Sequence, residues 1–295
     1  MSFDQRAGLS GRVAAVVGGG GGLGAAVSLA LAAEGVGVAF CDIDDEAAAV
    51  TARALSDMDI PHVGVHADAT DPGQLQAFYR AVAEKFDRLD IVVNVVGGVQ
   101  QRPFGESSPA DWDSDIARNF GYVLNSIHLA LPCIRAGGRG GSIVNFTTIE
   151  AGRGAAGFAV YAGAKAATTN FGRALAVELA SEGIRVNSLA PDITPSTGNF
   201  NAMSAKRRAH AASFPDQQPK AMAVYIPMGE PPMPEHLADA VLFLASDLSR
   251  FVTGGTIHVD GGTWAASGFL NWPHGDGYSP APGPASRDRL FGTTR

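Results

Sequence analysis

VVGGGGGLG, from Val16 to Gly24, is the stretch that decides how this 295-residue chain folds. An apolar run rich in valine and alanine precedes it, and an Ala/Leu-rich run at helical spacing follows. It therefore reads as a strand, a glycine turn and a helix in succession. Gly18, Gly22 and Gly24 allow a tight turn and a close backbone approach, and the helix start beyond them presents N–H groups with no partner inside the helix. A pyrophosphate fits such a helix start. Asp42 stands 18 residues past Gly24, at the end of the second expected strand. A carboxylate there can hold the hydroxyls of an adenosine ribose. It would also repel a 2′-phosphate, and no Arg or Lys lies in the loop or just after the strand. The expected cofactor is NAD rather than NADP.

Outward from this stretch the same rhythm continues. Strands are expected at Arg12–Gly18, Gly37–Asp42, His62–Ala67, Leu89–Val95, Ser142–Thr147, Ile184–Ala190 and Thr256–Val259. Helices are expected near Gly22–Glu34, Asp44–Met58, Asp71–Phe86, Ser108–Arg135, Gly157–Ser181 and Pro234–Ala245. Asp71-Pro72 and Ser108-Pro109 each put a capping side chain before a proline at the first helical position. Strands that alternate with helices imply an α/β fold, a parallel sheet covered on both faces. Residues 1–265 form the expected catalytic domain. Within it, residues 192–233 are irregular and proline-rich, which suits a substrate lid. Residues 266–295 are a Gly/Pro-rich tail that is expected to be partly disordered or to lie over another surface.

Composition narrows the class. Apolar residues make up 46% and charged residues 17%, so a large core is expected and disorder is not. The net charge of −7 and the lack of a basic run longer than Lys206-Arg207-Arg208 argue against nucleic acid as a partner. Cys41 and Cys133 have no metal-ligand spacing, and no metal is expected. The opening residues lack a signal-peptide core and no apolar run is long enough to span a membrane, so a cytoplasmic location is expected.

Chemistry is concentrated in IVNFTTIEA and AVYAGAKAA. Tyr161 and Lys165 stand four residues apart, on one face of a helix, and Thr148 lies 13 residues before Tyr161. An ammonium beside a phenol favours the phenolate, so Lys165 is expected to lower the Tyr161 pKa. A nearby hydroxyl can hold a substrate oxygen. Lys165 is one of only four lysines and sits among small residues, which argues against a surface ion pair.

Taken in order, these motifs resemble the short-chain dehydrogenase/reductase family over roughly Leu9 to Gly262. Gly18-x3-Gly22-x-Gly24 is similar to its cofactor loop, Asp68 in HADAT to its adenine-facing Asp, and Asn94 to Gly97 to its NNAG segment. Asn119 in ARNFG, Thr148, Tyr161 and Lys165 fall on its Asn, Ser, Tyr and Lys positions, and IRVNSLAPD on the segment bordering the nicotinamide. The resemblance implies a doubly wound, seven-stranded Rossmann fold. Its implied cofactor-binding set is Gly18, Gly22, Leu23, Gly24, Asp42, Ile43, Asp68, Ala69, Asn94, Tyr161, Lys165, Pro191 and Thr194. Tyr161 would be the acid/base, Lys165 would also bond the nicotinamide ribose, Thr148 would fix the substrate oxygen, and Asn119 would kink its helix and hold a water. Four positions depart from the pattern: Val17 for Thr, Val95 for Asn, Thr148 for Ser and Asp192 for Gly. Glu150 either faces the same cleft or is a solvated loop carboxylate.

The implied activity interconverts a secondary alcohol and a ketone. Phe200, Met203, Phe214, Met222, Tyr225, Ile226, Met228 and Met233 suit a mostly apolar ring or steroid-like substrate, or are ordinary packing under a lid. A 3-hydroxyacyl thioester is the alternative substrate, and an NAD-binding sensor or scaffold without turnover is the alternative of another class. Ala166, Ala167, Phe171, Ala174 and Leu175 on the Tyr161 helix match the pairing helix of the family, which implies a homo-oligomer, a tetramer with two-fold axes. The tail, with Trp272, His274 and Tyr278, would then cover a neighbouring subunit's cleft.

Overall fold

A computed structural model describes residues 2–195 and 218–291. Seven strands form one parallel sheet: β1 (Val13–Val17), β2 (Gly37–Asp42), β3 (His62–His66), β4 (Ile91–Asn94), β5 (Gly141–Phe146), β6 (Ile184–Pro191) and β7 (Thr256–Val259). Their order is β3-β2-β1-β4-β5-β6-β7, and every neighbouring pair is parallel. This is the doubly wound Rossmann arrangement.

Alternation along each strand explains why the central strands read as unbroken apolar runs. Val13, Ala15 and Val17 point to one core, where they meet Leu75 and Phe78 of α4 (Pro72–Lys85), Val123 and Ile127 of α6 (Tyr122–Gly137), and Leu175 and Leu179 of α7 (Ala159–Leu179). Ala14 and Val16 point to the other, with Val27 and Leu31 of α2 (Gly22–Ala33), Leu55 of α3 (Asp45–Asp57), and Leu237 and Val241 of helix Pro234–Ala245. A strand buried on both faces has no polar side to show.

The expected caps are present. Asp71 accepts from Gly73 N and Gln74 N at 2.8 and 3.1 Å, with Pro72 at the first turn. Ser108 and Asp111 form a capping box at α5 (Pro109–Ile116). The long helix expected over Ser108–Arg135 is broken: residues Ala117–Gly121 form a π-helical turn between α5 and α6. That turn contains Asn119.

The tail is ordered within the described residues and lies on its own chain. Strands β8 (Leu270–Trp272) and β9 (Gly277–Ser279) pair antiparallel, and β8 packs against helix Gln218–Tyr225. Tyr278 donates to the Pro227 carbonyl at 3.3 Å. The tail, expected to be partly disordered or to lie over another surface, thus packs in its described residues on the helix Gln218–Tyr225.

β2 departs from β1 in one direction and β4 in the other, so a crevice opens at the carboxyl ends of these strands. The glycine loop, Asp42, Asp68, the 95–98 loop, Thr148 and Asp192 all follow strand ends on this edge.

Candidate active site

At the start of α2 the backbone forms an open cradle. Gly18 has φ +84°, a conformation that favours glycine, and a β-carbon on Gly24 would lie 1.7 Å from the Gly18 carbonyl oxygen. The helix N-cap, Gly21, supplies no side-chain cap, and the first turn carries no acidic residue. The N–H groups of this turn are therefore open to an anion, and the cradle fits a dinucleotide pyrophosphate. Asp42 lies beside it: Oδ2 accepts from Gly20 N at 2.9 Å and Oδ1 from Asp44 N at 3.1 Å. Ile43, 62% exposed, forms the lip. Asp68 accepts from the N–H and hydroxyl of Thr70 at 2.8 and 2.7 Å, with Ala69 buried next to it.

Two expected side chains are committed elsewhere. Asn94 is fully buried; it donates to Asn145 Oδ1 at 2.8 Å and accepts from Ser126 Oγ at 2.6 Å, so its amide faces the interior and not a cofactor. Parallel alternation turned it inward. Asn119 bonds both sides of Gly98, donating to its carbonyl at 3.0 Å and accepting from its N–H at 3.1 Å, and donates to Asp115 O at 2.9 Å. Its side chain thus clamps the loop after β4. The expected helix kink is there, and the main-chain carbonyl of Asn119 accepts from Thr168 Oγ1 at 2.8 Å.

Lys165, 2% exposed, donates to the Phe146 carbonyl at 2.9 Å. Lys165 Nζ and Asn119 Oδ1 approach Gly97 so closely that a β-carbon there would meet them at 2.8 and 3.0 Å. Burial lowers the Lys165 amine to about 7. Tyr161 hydrogen-bonds Thr148; burial still pushes its hydroxyl up to about 12, with Glu150 and Asp192 adding to the rise. The expectation that Lys165 lowers the Tyr161 pKa is not met in this arrangement. Burial disfavours the charged form of both groups, and the charges that act on Tyr161 are two carboxylates.

Thr148, and not Thr147, faces Tyr161. Thr147 Oγ1 donates to the Leu189 carbonyl of β6 at 3.3 Å, and its neighbour turns the opposite way. Thr148 Oγ1 donates to Glu150 Oε2. Glu150 therefore belongs to the cleft: its Oε1 accepts from Arg153 at 2.7 Å. Arg153 also donates to the Tyr225 hydroxyl, at 2.5 Å, and lies 3.7 Å from Asp192 Oδ1. Tyr225 in turn donates to Asp192 Oδ2 at 2.6 Å. Burial raises the Asp192 carboxyl, opposed by the bonds it accepts from Tyr225 and Thr263. Pro191 and Thr194 are buried on either side of Asp192.

Arg153 was missed in the sequence. Its one signal was being the only charge between Glu150 and Lys165. Tyr225, expected as part of an apolar lid, is the polar bridge of this chain of groups. Of the other lid residues, Met228 and Met233 are 80% and 52% exposed, and Ile226 is buried against Gly261. Phe200, Met203, Phe214 and the Lys206-Arg207-Arg208 run lie outside the described residues. Trp264 stacks on His258 with ring centroids 5.1 Å apart and packs over Gly152, closing the wall beside Arg153.

Comparison with known proteins bears on this constellation. The sequence profile of the family described as Enoyl-(Acyl carrier protein) reductase matches residues 18–263. The chain belongs to the short-chain dehydrogenase/reductase family. Among its relatives in this family, D-threitol dehydrogenase of Mycolicibacterium smegmatis is 32% identical, over 89% of this chain and 95% of that one. A 3-oxoacyl-acyl-carrier-protein reductase of Chlamydia trachomatis is 32% identical over 75% of this chain and 84% of that one. Among solved structures, carveol dehydrogenase from Mycobacterium avium in complex with NAD superposes with a TM-score of 0.79 at 30% identity, covering 87% and 98% of the two chains. The chain is thus an oxidoreductase of this family, of the dehydrogenase/reductase kind. Among the described residues no helix is long and apolar enough to cross a membrane.

Proposed function

We propose that this short-chain dehydrogenase/reductase interconverts a secondary alcohol and a ketone with NAD. The observation that carries the proposal is the contact of Tyr161 with Thr148, beside a buried Lys165, on the same sheet edge as the open glycine cradle. Gly18, Gly22, Leu23 and Gly24 would hold the pyrophosphate, Asp42 and Ile43 the adenosine ribose, and Asp68 and Ala69 the adenine. Pro191 and Thr194 would border the nicotinamide. The dinucleotide, when bound, supplies the hydride acceptor or donor at its nicotinamide ring.

The chain's own residues carry the proton. Tyr161 takes it from the alcohol hydroxyl during oxidation and returns it to the carbonyl oxygen during reduction. Thr148 holds the same substrate oxygen. Its hydroxyl, in reach of both Tyr161 and Glu150, fixes that oxygen beside the acid/base. Lys165 lies beneath and supplies positive charge when protonated, and Asn119 fixes the loop at Gly97 and Gly98 around it. Positioning all partners replaces a costly encounter in solution.

For the substrate, the wall next to Thr148 is polar. Glu150, Arg153, Tyr225 and Asp192 favour an alcohol with a further hydroxyl close to the reacting carbon, in keeping with the polyol named for the threitol dehydrogenase relative. The second reading, a mostly apolar ring alcohol, is favoured by the likeness to carveol dehydrogenase. NADH absorbance decides: with NAD, the chain is mixed in turn with a four-carbon polyol, a cyclic terpene alcohol and a 3-hydroxyacyl thioester. Turnover of the polyol alone supports the first reading. NAD binding without turnover of any alcohol would point to the sensor or scaffold.

We also propose a homotetramer in the cytoplasm, paired partly through α7, where Ala174 and Val177 face outward. Leu175 is withdrawn from that expected surface, because it packs into the chain's own core. A monodisperse monomer in light scattering would refute the tetramer.

A further inference from the structure

On the opposite edge of the sheet, at the amino ends of β1, β4, β5 and β6, lies a cavity of about 460 Å³. Five arginines line it, Arg12, Arg88, Arg139, Arg185 and Arg250, against two aspartates, Asp90 and Asp247. In a chain whose net charge is −7, this hollow carries an excess of three positive charges. It is separate from the crevice at the carboxyl ends of the strands, and its function does not depend on that of the alcohol site.

Hydrogen bonds sort the arginines. Arg12 is paired with Asp247 at 2.6 Å, and Arg88 with Asp90 through two bonds, one of 2.7 Å. Among the described residues Arg185 has no paired carboxylate. It donates to neutral oxygens only: Ser249 Oγ at 2.9 Å and the carbonyls of Ser246 and Val252 at 3.2 and 3.5 Å. Burial and the neighbouring Arg12 charge lower its pKa, the direction expected for a partly desolvated cation among like charges. Among the described residues Arg250 donates only to the Asp247 carbonyl, at 3.2 Å. Arg139 makes no hydrogen bond or ion pair among the described residues. It stands between Gly138 and Gly140, both with positive φ, in the exposed turn from α6 to β5.

Helix capping explains part of this cluster, since Arg12 and Arg185 bond carbonyls at the end of helix Pro234–Ala245. It does not explain Arg139 or the surplus charge. Guanidinium forks match phosphate oxygens in geometry and charge. The volume falls within the range of about 300–1,000 Å³ common to small-molecule sites and is far too small for a macromolecule. We propose that this cavity is a second ligand site, taking a small oligophosphate held by Arg139, Arg185 and Arg250.

The test is calorimetric titration of the full chain with inorganic tripolyphosphate, with citrate as a non-phosphate polyanion and NAD present to occupy the glycine loop. One saturable tripolyphosphate site is expected, weakened by added salt. Arg139→Glu and Arg250→Glu should each weaken it about tenfold or more. Both side chains are exposed, and circular dichroism melting curves of the variants verify folding. Absence of saturable binding overturns the proposal. Unchanged affinity in the double variant also overturns it, because the anion would then be bound outside this cavity. Equal affinity for citrate overturns the assignment to phosphate.

Discussion

Thr148→Ala is the change most informative about the proposed chemistry. Thr148 Oγ1 meets Tyr161 on one side and Glu150 on the other, so the substitution removes the substrate-positioning hydroxyl and a contact of the acid/base together. Loss of one positioned transition-state hydrogen bond typically costs about 10²–10³ in kcat, or roughly 3–4 kcal/mol. A fall of at least about 10²-fold in kcat is therefore expected. A pH signature should accompany it. Burial holds Tyr161 at about 12, and the Thr148 bond is what draws it down. Without that bond the Tyr161 pKa rises further, so the phenolate fraction at a fixed pH falls. Alcohol oxidation, which needs the phenolate, should then shift its rise to higher pH. Ketone reduction, which needs the phenol, should show no such shift.

The assay follows NADH absorbance at saturating NAD with the best alcohol of the panel, across a pH series, for the unmodified chain, Thr148→Ala and Thr148→Ser. Serine restores the hydroxyl without the methyl, and should stay within roughly tenfold of the parent. Tyr161→Phe, which removes the proton carrier itself, should be worse than Thr148→Ala. NAD should still bind to all of these variants. If Thr148→Ala turned over like its parent with an unshifted profile, the hydroxyl would have no part in the reaction. Thr147 could not replace it, because its hydroxyl is spent on β6.

Three further outcomes are expected. NAD should exceed NADP in kcat/KM by at least about tenfold, or ~1.4 kcal/mol, and Asp42→Ala should narrow that gap; equal values in the parent would remove the role given to Asp42. Gly24→Ala should weaken NAD binding and lower the unfolding free energy by at least about 1–3 kcal/mol, since its β-carbon would strike the Gly18 carbonyl at 1.7 Å; an unaltered urea curve and Kd would contradict the cradle geometry. Lys165→Met should abolish turnover yet stabilise the fold without added cofactor. Burial lowers Lys165 from 10.5 to about 7, so the unfolded chain binds its proton more tightly. The gain should be largest below about pH 7, shrink as pH rises, and vanish above about 10.5, with an upper bound on the order of 5 kcal/mol. A gain that did not depend on pH would refute the charge argument.

Local chemistry made much of this protein legible in its sequence. Alternating apolar runs gave the order of strands and helices, Asp71-Pro72 and Ser108-Pro109 marked helix starts, and the glycine stretch marked the turn after β1. The spacing of Thr148, Tyr161 and Lys165 survives because one helix and one strand end carry all three, so few degrees of freedom separate them. Long-range packing decided the rest. Asn94 was turned into the interior by strand alternation and by a partner, Asn145, on the next strand. The break in the helix around Asn119 is a π turn with no distinct local signature, stabilised by bonds to Gly98 and Thr168. Arg153 and Tyr225 are 72 residues apart and meet only because the chain after β5 and the chain after β6 return to one edge of the sheet. The same closure gathers five arginines at the opposite edge. Periodicity and capping act over a few residues and can be read from them; a charged cluster drawn from several strand ends exists only once the sheet has ordered those ends side by side.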